Sequence, residues 1–343
     1  MIEFEASVSG QAHHYLSQAF LSGFTDDNGT IWMFDRKTNR ISLTAPRVIA
    51  AENDLYAFTG ADGATRRDIE TNLFKLVDGP IRPILRKIAT RQDLSEKELD
   101  DLSLFVGFLR VRTPAGIDEI EQAARGFANK VNPFRSREYV QERIENYERD
   151  TGQPLGMTAD EMVEMFTSER YEIVPERGHL LVLMCEMGLK LATHLRGLDW
   201  TILVASQARQ FIVSDYPFVI VPPPGHDVAL TGVGVLSQGA VKYVALSAKL
   251  CLEMGGLGTQ LSYRSASGAE VRKINCWTAC NSERFVFGGN EALLRRVIEA
   301  AKLPPGEHKS EVVIREIPHA TDPTRSLLQV FPRPKITPES SSK

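Results

Sequence analysis

At 343 residues, 43% hydrophobic and 24% charged, the chain has ordinary globular composition and enough length for one large or two modest domains. A formal net charge of −4 excludes a global attraction to nucleic acid or to an anionic membrane, while leaving a local basic cleft open. No apolar run reaches the roughly 18 residues of a transmembrane helix, and the acidic opening MIEFEASVSG lacks the apolar core of a secretory signal. The expectation is a cytoplasmic protein without membrane contact.

In chain order, residues 12–24 read as a helix, since steps of about 100° put Ala12, Leu16, Ala19, Phe20 and Gly23 on one face. His13 then falls at the edge of that face, and His14 points the other way beside Gln18. TDDNGT is a turn, because Asn-Gly supplies positive φ, and TIWMFDR and RISLTA flank KTN as a hairpin. A helical region follows, interrupted at Gly79-Pro80. It resumes at a capping box, Ser95 with Glu98, and breaks near Arg112-Thr113-Pro114. SREYVQERIENYERD and TADEMVEMFTSERY read as surface helices, and RGHLLVLMCEMGLKLATHLRGL, apolar on nearly every side, as a central buried one.

From Asp199 the texture becomes β-rich: DWTILVAS, QFIVSD, FVIVPPP, VKYVALS, KLCLEMGG, ERFVFGG and SEVVIREI are short strand-like runs. One helix, NEALLRRVIEAAK, intervenes and stops at Pro304-Pro305. The expected class is α+β: a β-rich platform formed from the N-terminal hairpin and C-terminal strands, with a large inserted helical bundle. The expected divisions are 1–50 (helix and hairpin), 51–198 (bundle), 199–332 (β-rich part packing with 1–50) and a disordered tail, 333–343.

Few fingerprints of chemistry are present. TGVGVLSQG lacks the Gly-Lys-Ser/Thr ending of a phosphate loop, AHHYL is not the metalloprotease His-Glu-x-x-His, and no Gly-x-Ser-x-Gly elbow occurs. Cys276 and Cys280 form a C-x3-C pair with no second pair at zinc spacing, so they read as buried free thiols; Cys185 and Cys251 read as core residues. Residues 66–143 hold 15 Lys/Arg against 13 Asp/Glu without interleaved aromatics, as much a solvated surface as a nucleic-acid track. Asp215 ends an apolar run, where it projects into a cleft or bonds nearby backbone amides as a turn residue. Arg112 either grips a phosphate or carboxylate or pins Glu70 or Asp78 inside the bundle. Asn281 is read as a turn residue before ERFVFGG.

The stretch HHYLSQAFLSGFTDDNGTIWMFDRKT resembles the start of a mainly microbial family, number 4238 among the domains of unknown function. His13, His14, Tyr15, Gln18, Leu21, Phe24, Thr25, Asp35 and Arg36 match, while Ser17 replaces a proline. The likeness continues through ENDLYAF, the Glu70 region, Arg112-Thr113-Pro114, DWTILVASQARQFIVSDYPF (Tyr216 in place of Asn), VALSAKLCLEMG (Ala248 in place of Pro) and NSERFVF, across about residues 11–290. The resemblance adds weight to His14, Arg112, Asp215 and Asn281, implies no activity, and suggests a defence or toxin-like role by association only.

Two readings follow. In the first the protein hydrolyses a phosphodiester or nucleotide. His14 is then general acid/base, Asp215 orients it or binds a divalent metal such as Mg2+ or Mn2+, Arg112 holds the anionic group, and Gln18 and Asn281 position it. In the second it is a binding or regulatory module, recognising a protein partner or small ligand. The same polar residues then form a structural seam, with His14 and Gln18 bonding the strand that ends at Asp215.

Overall fold

The computed structural model describes residues 10–60, 62–130, 134, 136–168, 174–226, 232–318 and 326–333. The N-terminal leader reading and the expected disorder of the tail from residue 334 lie outside the described residues. The chain enters through β1 (Ala12–His14), a single helical turn α1 (Gln18–Leu21), the hairpin β2 (Ile31–Asp35) and β3 (Arg40–Thr44), and β4 (Ala51–Asn53). The hairpin forms where KTN sits, with Asp35 opposite Arg40. The helix expected across 12–24 does not. His13 pairs opposite Glu52 and His14 opposite Ala51 in a two-stranded antiparallel ladder. Helix starts only after Ser17, whose side chain accepts the Phe20 amide as an N-cap. A pairing with residues almost forty positions away leaves no trace in local periodicity.

Two short strands, β5 (Phe58–Thr59) and β6 (Thr65–Arg66), lead into a π-helical turn, Ile69–Phe74, and α2 (Lys75–Asp78). Then come α3 (Ile81–Ala89), α4 (Glu96–Val111), α5 (Pro114–Lys130), α6 (Arg137–Thr151), α7 (Ala159–Thr167) and α8 (Arg177–Arg196). The breaks at Gly79-Pro80 and before Pro114, and the Ser95–Glu98 capping box, are all observed. α8 is not central. It buries Leu181, Met184, Gly188, Ala192 and Leu195, while Val182, Met187 and Leu189 remain 42–53% exposed. It crosses α4 closely: a Cβ on Gly107 would meet the Gly188 carbonyl oxygen at 2.8 Å, and one on Gly188 would meet the Phe108 ring at 2.8 Å. Neither position has room for a side chain.

The C-terminal strands are β7 (Leu198–Ala205), β8 (Val213–Ser214), β9 (Val219–Val221), β10 (Val241–Ala245), β11 (Leu250–Leu257) and β12 (Leu261–Ala266). Helix α9 (Gly268–Asn281), β13 (Phe285–Gly288), α10 (Glu291–Ala301), β14 (Glu311–Pro318) and β15 (Ser326–Arg333) follow. One five-stranded sheet runs β12-β7-β11-β10-β9, antiparallel except for the parallel β12–β7 pair. A four-stranded sheet, β3-β2-β13-β8, joins the N-terminal hairpin to C-terminal strands. α9 and α10 cover it, and their core includes Phe34, Ile212, Ala279, Val286, Leu294 and Val297. The protein is therefore α+β, and among the described residues no helix is long and apolar enough to cross a membrane.

The chain forms two compact units. One draws on Met1–Ile120, Arg177–Val313 and Val330–Lys343, the other on Glu121–Glu176 and Ile314–Gln329. The second unit has its own small core, in which Val140, Ile144 and Ala159 pack with Leu155, Met162 and Val163.

Candidate functional site

β1 places the two histidines on opposite sides of the strand. His13 is fully buried, stacked on the Tyr56 ring at 5.6 Å, and its Nδ1 accepts the Tyr56 amide at 3.0 Å. That acceptor role assigns the neutral ring's proton to Nε2, which has no partner among the described residues. Burial, chiefly, lowers the His13 pKa below 6.5, with the Asp54 charge opposing. His14 is half-exposed, and its Nε2 donates to the Arg47 carbonyl at 3.2 Å.

Arg112 caps α4 at its C-terminal end and is fully buried between the Phe74 and Phe105 rings, 5.2 and 5.6 Å away. Its Nη1 donates to Asp78 Oδ2 at 3.0 Å. Asp78 Oδ1, 2.9 Å from the same nitrogen, is out of line and accepts nothing. Of the two partners the sequence allowed, Asp78 makes the contact. Glu70 acts from further off: burial raises its pKa, and the Arg112 charge and the His14 backbone amide pull it down. The Tyr56 hydroxyl donates to the Arg112 carbonyl at 2.7 Å, tying the His13 and Arg112 surroundings together.

Asp215 follows β8, as expected of a strand end, and its carboxylate reaches residues far along the chain. Its Oδ1 accepts the Glu283 amide at 2.9 Å, and its Oδ2 accepts the Arg284 and Phe285 amides at 2.7 and 2.8 Å. Asn281, the last residue of α9, donates from Nδ2 to the Tyr216 and Phe218 carbonyls at 2.7 and 3.1 Å. Tyr216, the departure from the family pattern, donates its hydroxyl to Glu119 Oε2 at 2.9 Å and lies under the Arg110 guanidinium at 4.8 Å. Gln18 is exposed on α1. The five residues therefore fall into two groups: His14 and Arg112 around Glu70 and Asp78, and Asp215 with Asn281 around residues 281–285. Gln18 belongs to neither.

Sequence reading missed two charged partners at the second group. Arg36 is fully buried and donates to the Ser282 and Pro304 carbonyls at 2.7 and 3.3 Å; burial lowers its pKa, and the Asp215 charge opposes this. Asp35 pairs in a two-pronged fork with Arg284, both bonds 3.0 Å. Burial pushes the Asp35 carboxyl up, but the Arg284 pair and the Lys37 amide outweigh it and hold it below its ordinary value. The Asp35-Arg36 ending of the strand was the available signal.

Asp215 also borders a cavity of about 250 Å³ shared with Tyr15, Glu52, Asp118, Glu283 and Glu307. Partial burial first, then the Glu283 charge, raises the Glu52 pKa. No cluster of three His, Cys, Asp or Glu able to hold a metal occurs among the described residues. Cys276 and Cys280 are buried free thiols, as expected; burial pushes Cys280 up to about 12. Cys251 is buried, and Cys185 only partly so.

This is an α+β protein in which the matched N- and C-terminal motifs meet as a polar knot. The model for a family described as a protein of unknown function (DUF4238) matches residues 12–292, and the chain belongs to that family. No curated protein and no solved structure matches the chain.

Proposed function

We propose that this chain is a binding or regulatory module in which the motif residues form a structural seam. One observation carries this reading: the Asp215 carboxylate takes three backbone amides from residues 283–285. A carboxylate so engaged has three of its roughly four acceptor sites taken by the backbone, which leaves little room for an imidazole or a metal. His14 bonds a carbonyl, Arg112 an aspartate and Asn281 two carbonyls, so each already has a job within the fold. The hydrolase reading, with His14 as acid/base and Asp215 on a divalent metal, would require both groups to exchange these partners.

The test is Asp215→Asn. The shape is kept, but one acceptor becomes a donor facing amide N–H groups, at a cost of about 1–3 kcal/mol. The expected result is a melting temperature lower by a few degrees, with or without Mg2+ or Mn2+, and no nucleotide or oligonucleotide turnover by the parent. Unchanged stability, together with turnover lost in the variant, would reinstate the hydrolase.

A further inference from the structure

A cleft of about 210 Å³ opens where the segment after β7 meets the starts of α9 and α10. Arg209, Arg272 and Arg296 line it, and no carboxylate does. Among the described residues, none of these three guanidiniums has an ion pair or a side-chain hydrogen bond. In the same unit Arg110, Arg264, Arg284 and Arg295 each face a carboxylate, whereas Arg40, Arg47, Arg82 and Arg86 face none among the described residues; what sets Arg209, Arg272 and Arg296 apart is that all three line one cleft.

Arg209 lies beside the start of α9, an unfavourable place for a cation. A Cβ on Gly268, the first residue of α9, would lie 3.2 Å from Arg209 Nε and 3.6 Å from its Cζ. The guanidinium thus rests against the first turn of a 14-residue helix, whose free amides already make that end positive. Of the acids at these helix starts, Glu270 bonds the Ser267 amide and Arg264, and Glu291 bonds Arg295; Glu299, three residues after Arg296, lines a different pocket with Arg295 and Ile298. An anion in the cleft would relieve both the helix end and the three arginines.

The amide side of the cleft is fixed in advance. Buried Asn275 accepts the Ile212 amide at 3.1 Å and donates to the Gln210 carbonyl at 2.9 Å, and Asn290 donates to Gln210 Oε1 at 3.2 Å. Size limits the guest, because drug-sized sites enclose roughly 300–1,000 Å³. Three positive charges exceed what one carboxylate needs, and Val271, Leu293 and Val297 offer an apolar wall beside them.

We propose that this cleft binds the di- or triphosphate group of a small organic ligand, each arginine pairing with phosphoryl oxygens. The inference deepens the binding reading and rests on it, but it uses none of the seam residues.

Titration calorimetry of the full chain with inorganic pyrophosphate tests it, using Arg209→Gln, Arg272→Gln, Arg296→Gln and the triple variant. The expected result is one saturable site, weakened about tenfold or more by each substitution and weakened further by salt. Because these arginines are exposed and unpaired, the variants should melt with the parent until pyrophosphate is added, which should raise the parent far more than the triple variant. A parent that does not bind pyrophosphate overturns the proposal, as does a triple variant that binds it equally. Binding of a single-stranded oligonucleotide but not of pyrophosphate overturns it too. Phosphate release during the titration would sink the non-catalytic reading and support the cleft. Absent binding, with Asp215→Asn destabilised as expected, would sink the cleft alone.

Discussion

A guanidinium shut away from water, such as that of Arg112, needs a partner it can keep. Asp78 is that partner, and the pair illustrates why buried ions are fragile. Asp78→Ala would strand the Arg112 charge and should cost about 3–5 kcal/mol, whereas Asp78→Leu combined with Arg112→Met should cost far less. Denaturant melts of the two variants check this; equal losses would mean that Arg112 matters for its packing on Phe74 and Phe105 rather than for charge. His13 gives the fold a pH dependence. Its folded pKa is depressed below the 6.5 of the unfolded chain, so the unfolded state binds the proton more readily. Stability should be complete above about pH 6.5 and fall as pH drops below it. His13→Asn, which keeps an acceptor for the Tyr56 amide, should lower stability at neutral pH and flatten the slope below about pH 6.5. An unchanged slope would move the effect to another group.

At the scale of elements, what was legible in the sequence is what is local. The β2–β3 hairpin, the Ser95 capping box and the breaks at Gly79-Pro80 and Pro114 each depend on residues within four positions of one another, and each formed where expected. β1 was read as helix because its partner is β4. α9 went unread, although Ser267-Gly-Ala-Glu270 is a capping box and all its bonds are made. Its buried residues, Val271, Ile274, Asn275, Cys276, Thr278, Ala279 and Cys280, mix polar with apolar types, so no clean apolar stripe follows that start signal. Candidate site residues were legible as types and not as partners: Arg112 was narrowed to Glu70 or Asp78, but nothing in the sequence pointed Asp215 at residues 283–285. Ser267→Ala should cost about 1 kcal/mol by freeing the Glu270 amide from its cap. A melting temperature unchanged within error would mean that packing alone holds α9.

Over the whole molecule, the four-stranded sheet sets β2 beside β13, and Arg36 bonds Ser282 across 246 positions of sequence. Ribosomes add about 5–20 residues per second, so a growing chain waits roughly 12–50 s between making Arg36 and making its acceptor. Through that interval β2 has β3 on one side and an open edge on the other, with Ile31 and Phe34 uncovered, which is the condition that invites strand-to-strand aggregation. Nascent chains arrested before Phe285 should therefore depend on a holdase to stay dispersed, and chains arrested with β13 and α10 outside the ribosome should not. The seam that fastens the finished protein also sets the moment in synthesis when the protein first becomes safe.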